Sequence, residues 1–234
     1  MVAAIADFLL QHNANILHAD QHQDAENNLF LMRVEWDFAG FNLDEASFHQ
    51  AFAAIAQKFS MQWQLKLSQH KTRVAIMVSQ YDHCLADLLH RHKSGELACE
   101  IPLVISNHQD TEKLVKFYGV DFHHIPVTKD NKDEAEAAQF KLFAEYNIDL
   151  IVLARYMQIL SPDFVSRYPQ RIINIHHSFL PAFIVDIERI SHRDQVEDLI
   201  QKGRDLERIV LSKAVRWHIE NRILLYANKT VIFD

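Results

Sequence analysis

Continuous apolar runs that alternate with helical patterns are the feature that most constrains the fold of this chain. The runs are Val74–Val78, Ile101–Ile105, Leu150–Ala154 and Ile172–Ile175, and amphipathic segments separate them. Strands that are apolar throughout are typical of parallel sheets, because helices cover both faces of such a sheet. The chain from residue 71 onwards is therefore predicted to form an α/β domain. Ligands of such domains bind beyond the carboxyl ends of the strands.

The first 68 residues show a different periodicity. Apolar residues repeat at helical spacing in Val2–Leu9 and Phe48–Phe59, whereas they alternate, as in a strand, in Phe30–Trp36 and Trp63–Leu67. With a further strand at Asn15–Asp20, the predicted order is helix, strand, strand, helix, strand. This order is that of a ferredoxin-like α+β unit without its first strand.

The polar stretch Ser68–Lys71 marks the predicted domain boundary, which gives an N-terminal domain of residues 1–68 and a second domain of residues 71–234. The second domain is predicted to end with a long helix from about Asp194 to Glu220. A β-hairpin formed by Ile223–Tyr226 and Thr230–Phe233 is predicted to follow that helix.

Composition excludes several classes of protein. The net charge of −7 gives no basis for binding nucleic acid or an anionic membrane. The sequence contains no run of eighteen apolar residues, so no membrane span is predicted. The first residues lack the basic flank of a signal peptide. The four glycines are too widely spaced for a phosphate-binding glycine loop. Cys84 and Cys99 are predicted to be reduced core thiols of a cytoplasmic protein.

Asn174 and His176 form the most suggestive polar pair in the chain. They follow an apolar run at a spacing of two, so a strand would point both side chains to the same side. An amide donor beside an imidazole that titrates near neutral pH can stabilise an oxyanion and move a proton. The simpler interpretation of a lone Asn-x-His pattern is a structural histidine at the end of a strand, with its ring nitrogens hydrogen-bonded locally. The expected position at a sheet crevice favours the interpretation that the pair is catalytic.

The segment Asn174–Pro181 resembles the signature of the formyltransferase family, whose members use 10-formyltetrahydrofolate. Upstream, Leu153–Ser161 resembles the folate-pocket segment of the same family at the matching spacing. Within this family, the His-His pair and the preceding small domain are similar to the formyltetrahydrofolate deformylases. The resemblance covers essentially the whole chain. It implies a Rossmann-like catalytic domain preceded by an ACT domain, the ferredoxin-like unit described above.

The resemblance also implies which residues act on the substrate. Asn174 and His176 are expected to be catalytic, and His177 is expected to hold the attacking water, unless it is a packed structural histidine. The pterin ring is expected to lie against Leu153, Met157 and Leu160, with backbone from Gln158 to Leu160 pairing with its edge. For Leu153, ordinary core packing is an equal alternative.

A segment of a few dozen residues is expected to be absent between Ile184 and Val185. In the family, a loop and a strand follow the signature and lead to an Asp-x-Gly segment with a catalytic aspartate, and neither Asp186 nor Asp194 is followed by glycine. Either the sequence omits residues that the protein contains, or the segment is truly deleted and catalysis is gravely impaired. The first explanation is favoured, because excising a strand would expose the sheet.

The remaining polar groups receive simpler interpretations. Glu134 and Glu136, together with Lys132 and Lys141, are predicted to form a solvated helix face. The His123–His124 pair is predicted to be solvated or locally bonded. The other histidines show no ligand spacing, so no metal site and no cofactor are predicted.

The implied function is hydrolysis of 10-formyltetrahydrofolate to formate and tetrahydrofolate, which would supply formate for purine synthesis and balance the folate pool. Two alternatives stay open: a formyltransferase with an amine acceptor, and a non-catalytic homologue that senses an amino acid. The expected partners are the folate substrate, an amino-acid effector at the ACT domain and further copies of the chain in a homodimer or homotetramer. Nucleic acid and membrane are not expected as partners, and the expected location is cytoplasmic.

Overall fold

A computed structural model describes residues 1–175, 195–226 and 229–233. The chain divides into two compact units, Met1–Leu67 with Arg222–Asp234, and Ser68–Asn221. The C-terminal hairpin, which the sequence analysis assigned to the second domain, therefore belongs to the first unit. Its assignment by chain order was wrong, because its anchoring contacts are made with the first hairpin of the chain.

The second unit is a parallel sheet covered by helices. Its elements, in chain order, are β3 (Arg73–Val78), α3 (His83–Ser94), β4 (Glu100–Ser106), α4 (Glu112–Phe117), β5 (Asp121–His124), α5 (Lys132–Glu145), β6 (Leu150–Ala154), α6 (Pro162–Arg167), β7 (Ile172–Asn174) and α7 (Val196–Ile219). The strand order is β5-β4-β3-β6-β7, and all pairings in the sheet are parallel. The predicted Rossmann-like architecture is confirmed.

The two faces of the sheet carry separate cores, which explains why the interior strand β6 is apolar at every position. Along β6, Val152 and Ala154 pack on the face that α3 and α7 cover, whereas Ile151 and Leu153 pack on the face that α5 and α6 cover. All five residues of β6 are buried. Cys84 and Cys99 are also buried and unbonded, as predicted.

The described residues of the first unit form two helices and two hairpins. Its elements are α1 (Val2–Gln11), β1 (Asn15–Asp24), β2 (Leu29–Asp37), α2 (Glu45–Lys58), β8 (Ile223–Tyr226) and β9 (Lys229–Ile232). β1 pairs with β2, and β8 with β9, in both cases antiparallel. The core is aromatic, since Phe8, Phe48 and Phe52 pack against one another, and Phe48 contacts Trp36 while Phe52 contacts Trp63.

The predicted closing strand at Trp63–Leu67 is absent from the first unit. Half-buried and exposed residues do alternate from Met61 to Leu67, but this segment pairs with no strand among the described residues. The alternation reflects Trp63 and Leu65 packing against the aromatic core. An alternating pattern therefore identified the buried side of the segment, whereas a strand also requires a partner for its backbone.

No helix in residues 1–175, 195–226 and 229–233 combines the length and the apolar character that a membrane span would need.

Asp24 connects the two hairpins of the first unit. Its buried carboxylate accepts hydrogen bonds from Tyr226 Oη at 2.7 Å and Asn27 Nδ2 at 2.8 Å, and it forms an ion pair with Lys229 Nζ at 3.0 Å. Backbone N–H groups of Glu26 and Asn27 also donate to it. The bonds from Asn27, Tyr226 and Lys229 lower the pKa of Asp24 far below its ordinary value. Each of these groups stabilises the ionised carboxylate.

We expect Asp24→Asn to destabilise the C-terminal hairpin and to remove part of the pH dependence of the hairpin's stability. Because the folded pKa of Asp24 is depressed, its stabilising effect is complete above the unfolded pKa of about 4 and is lost as the pH falls further. Amide exchange of β9, expressed as protection factors, should therefore fall in wild type below about pH 4 and be low in the variant at pH 7. Asp20→Asn, on the same strand, is the control. Equal protection of β9 in wild type and Asp24→Asn at pH 7 would contradict the role of Asp24 in holding the two hairpins together.

Candidate active site

The strand order reverses between β3 and β6, and this reversal creates the crevice of the second unit. The chain leaves β3 towards β4 and β5, then returns to form β6 and β7 on the other side. Loops that follow adjacent strands in opposite directions separate at their carboxyl ends, where ligands of open α/β sheets bind. Ser79 bridges the two loops here, since its Oγ accepts from Met157 N at 3.0 Å and donates to Asn107 Oδ1 at 2.7 Å.

Asn174 lies at the carboxyl end of β7, next to this crevice. It is in register with Leu153 of β6 and is exposed, so its amide does not face the apolar interior. The alternation along β7 places Ile172 with the core under α5 and α6, and Ile173 with the opposite core. Asn174 therefore projects on the α5 and α6 side. His176 and His177 lie outside the described residues.

The predicted folate segment follows β6 on the same side of the sheet. Leu153 is buried in the core at 5% exposure, in agreement with the alternative of core packing, so its predicted pterin contact stays a prediction. Met157 is 49% exposed, whereas Gln158 and Leu160 are half-buried. Ile159, which the sequence analysis did not single out, is 86% exposed. The segment thus offers apolar side chains to solvent on a loop held at the sheet edge.

Arg155 changes the direction of the chain at the end of β6. Its φ of +62° lies in the left-handed region, which costs a non-glycine residue about 1 kcal/mol. As a result, Arg155 and the preceding Ala154 both point towards α7, and Tyr156 returns to the opposite core. Arg155 Nη1 forms an ion pair with Glu207 Oε1 at 2.9 Å, and both side chains are 12% exposed. This contact offsets the backbone strain.

Glu207 is the centre of a polar cluster that joins three elements on the α7 side. His83 Nε2 lies 2.7 Å from its second carboxylate oxygen, so α3, the β6 loop and α7 meet at one side chain. The guanidinium groups of Arg155 and Arg204 lie 5.5 and 5.9 Å from the centre of the Tyr81 ring, at cation–π distances. The cluster thereby ties Tyr81, which follows β3, and Arg155, which follows β6, to α7.

His83, Cys84 and Glu207 are close enough to suggest a metal site, since their ligand atoms lie within 4.8 Å of one another. Their chemistry argues against one. Burial raises the pKa of the Cys84 thiol to about 12, which disfavours formation of the thiolate that metals bind. Both oxygens of Glu207 already bind Arg155 and His83. A cation would have to displace a buried guanidinium.

Comparison with known proteins identifies the family. Residues 72–187 match the family model described as Formyl transferase. A formyltetrahydrofolate deformylase of Synechocystis sp. is 46% identical to the chain, and the alignment covers all of the chain and 94% of that relative. The chain belongs to the formyltetrahydrofolate deformylase family. The deformylase of Bacillus subtilis, at 42% identity over the whole chain and 90% of its own length, supports the same assignment.

Solved structures agree with this family assignment. A formyltetrahydrofolate deformylase from Pseudomonas syringae pv. tomato superposes with a TM-score of 0.93 at 39% identity, covering 100% of this chain and 90% of that one. A phosphoribosylglycinamide formyltransferase from Coxiella burnetii superposes with a TM-score of 0.60 at 24% identity, covering 70% of this chain and 94% of that one. At that identity the transferase shares the fold only, whereas the deformylase similarity extends over both units.

The chain is shorter than its deformylase relatives at internal positions of the alignment. The alignment with the Synechocystis protein spans 267 positions, which is 33 more than the 234 residues of this chain. Relatives therefore contain about thirty positions that this member of the family lacks. The size agrees with the few dozen residues expected to be absent between Ile184 and Val185, whose position lies outside the described residues.

Three features of the site escaped the sequence analysis. The left-handed conformation of Arg155 carries no sequence signal, because glycine rather than arginine normally marks such positions. The Glu207 cluster joins residues that are distant in the chain. Glu136, predicted to be solvated, is buried and bonded to Ser161 instead. For Glu136, the polar residue Gln139 three positions later on the same helix face was the only available hint.

We expect Glu207→Ala to destabilise the second unit by about 3 kcal/mol, because it leaves the buried Arg155 guanidinium without its carboxylate. Urea denaturation measures the change. Arg216→Ala is the matched control on the same helix, since the Arg216–Glu220 ion pair is largely exposed and should contribute less than about 1 kcal/mol. Equal losses of unfolding free energy in the two variants would show that the Glu207 cluster stabilises the unit no more than an exposed ion pair does.

Proposed function

We propose that the chain hydrolyses 10-formyltetrahydrofolate to formate and tetrahydrofolate. The observation that carries the proposal is the exposed Asn174 amide at the carboxyl end of β7, in register with the strand that leads into the folate segment. The names of the relatives at 38–46% identity, all formyltetrahydrofolate deformylases, support the same reaction.

The reaction replaces the bond between the formyl carbon and N10 by a bond to water. As water attacks, the carbonyl oxygen becomes anionic, and the Nδ2 group of Asn174 donates a hydrogen bond to it. N10 then takes up a proton and leaves as tetrahydrofolate, and the other product is formate. By the family resemblance, His176 transfers this proton. A hydrolase must also hold the attacking water, and we propose His177 for that role.

The pterin ring is proposed to lie on the α5 and α6 side of the crevice. Met157 and the exposed Ile159 supply apolar surface there, and backbone of Gln158–Leu160 pairs with the polar edge of the ring. Leu153 supports this loop from the core beneath it. Methionine suits such a surface because its side chain adapts to flat ligands.

A second candidate function is supported by the 33 alignment positions that the chain lacks relative to the Synechocystis deformylase. If the lacking positions include the catalytic aspartate of the family, the chain is a folate-binding homologue without turnover. Formate release from 10-formyltetrahydrofolate without any amine acceptor distinguishes the candidates. Release at a rate that depends on the protein supports hydrolysis, and tetrahydrofolate binding without release supports the second candidate. Formyl transfer that requires an added amine would indicate a transferase.

The setting of the reaction is proposed on the same basis. The formate would supply purine synthesis in the cytoplasm, and the reaction uses no cofactor beyond its folate substrate. The first unit, an ACT-like domain by resemblance, is proposed to bind an amino-acid effector. The chain is proposed to act as a homodimer or homotetramer.

We expect Asn174→Ala to lower the rate of formate release about a hundredfold, because the variant lacks a donor to the developing oxyanion. Tetrahydrofolate affinity should stay the same, since the product carries no such oxyanion. A formate assay coupled to a dehydrogenase measures the rate, and calorimetry measures the affinity. A variant that retains more than about a tenth of the wild-type rate would contradict the role given to Asn174.

A further inference from the structure

Glu136 is a buried carboxylate that the proposed chemistry does not use. It lies on α5 at 7% exposure, and its Oε1 accepts a hydrogen bond from Ser161 N at 2.9 Å. Its Oε2 accepts a second bond from the Ser161 hydroxyl. Burying an ionised group is costly unless strong hydrogen bonds compensate, so both donors of Ser161 are needed to keep Glu136 in place.

Gln139 makes a similar contact three positions later on the same helix. Its Nε2 donates to the Tyr156 hydroxyl at 3.1 Å, and Tyr156 is buried at 6% exposure. Residues at a spacing of three share one face of a helix. One face of α5 therefore binds both ends of the segment from Tyr156 to Ser161.

The four residues between these ends, Met157–Leu160, are named the folate loop here. A third contact comes from the loop after the neighbouring strand β3, where Ser79 Oγ accepts a hydrogen bond from Met157 N. The backbone of the folate loop is thus anchored at both ends, while the side chains of Met157 and Ile159 stay exposed. Recognition of a ligand edge by backbone groups requires such fixed geometry, because a mobile loop loses entropy on binding.

A small cavity lies between α5 and the folate loop. It has a volume of about 10 Å³ and is bordered by Glu136, Gln139, Tyr156, Gln158 and Leu160. That volume holds about one water molecule. Among the described residues, the buried Gln139 Oε1 has no hydrogen-bond partner, so a water in this cavity would satisfy it. Polar groups of the helix and of the loop thus border the same cavity.

We propose that Glu136 is a positioning residue for folate recognition. It does not touch the substrate; through Ser161 it fixes the carboxyl end of the folate loop, so that the loop backbone meets the pterin edge in one geometry. This inference rests on the proposed function, since it requires that the folate loop binds a reduced folate. Loss of the Glu136 charge weakens both bonds to Ser161 and releases the loop.

The test compares Glu136→Gln with Glu134→Gln, its matched control. Glu134 is exposed on the same helix, so its substitution removes one negative charge without touching the loop. Tetrahydrofolate is the ligand, titrated calorimetrically, and formate release gives kcat and KM separately. Glu136→Gln should weaken tetrahydrofolate binding about tenfold, the effect expected when a hydrogen bond to a buried charge is lost, and should raise KM similarly. Its kcat should stay near wild type, and Glu134→Gln should change nothing.

Several outcomes overturn the role of Glu136. A folded Glu136→Gln variant with wild-type tetrahydrofolate affinity shows that the residue is structural only, even if its melting temperature falls. A lower kcat at unchanged affinity shows that it acts on the chemistry and not on the loop. Wild-type protein that binds no tetrahydrofolate overturns the proposed function instead, and with it the premise of this role.

Ser161→Ala provides a second route if Glu136→Gln does not fold. This variant keeps Glu136 and its bond from the backbone N–H but removes the hydroxyl bond. The hydroxyl also accepts from Phe164 N at the start of α6, so some loss of stability is expected. Tetrahydrofolate binding should weaken about tenfold here too. Unchanged binding by folded Ser161→Ala protein overturns the proposal.

Discussion

The Ser79 hydroxyl spans the point where the sheet reverses its strand order, and the arrangement of the site depends on it. It joins the loop after β3 to the loop after β6 through Met157 N, and to the loop after β4 through Asn107. The reversal separates these loops and opens a crevice, and the buried Ser79 side chain, 3% exposed, ties the loops together at that point.

The two sides of this crevice differ in chemistry. On the α7 side, Arg155 and His83 both bind the carboxylate of Glu207. On the α5 side, Asn174 and the folate loop present an amide, backbone and apolar side chains. The positive φ of Arg155 produces this division, because it sends the guanidinium to one side and returns Tyr156 to the other. Local strain at one residue therefore separates the Arg155–Glu207 ion pair from the proposed folate-binding side.

Sequence reasoning recovered the features that depend on hydrophobic periodicity. The strand Leu150–Ala154 was predicted because a strand buried on both faces must be apolar throughout, and all five residues are buried. The same reasoning failed at Trp63–Leu67, where alternation identified a buried side but could not supply a strand partner. It also failed at Glu136, because an acidic residue between lysines has the same pattern whether it meets solvent or a buried serine. Roles that depend on tertiary partners, such as those of Glu136 and Glu207, cannot be predicted from the neighbouring residues in the sequence.

The central claim is that a reduced folate binds on the α5 side of the crevice, with its N10 region beside Asn174. A crystal structure of the wild-type chain with tetrahydrofolate tests this claim most directly. The pterin edge should pair with backbone of Gln158–Leu160, and N10 should lie towards the exposed amide of Asn174. A pterin bound on the α7 side, against Tyr81 and Arg204, or one bound away from β6 and β7, would contradict the account.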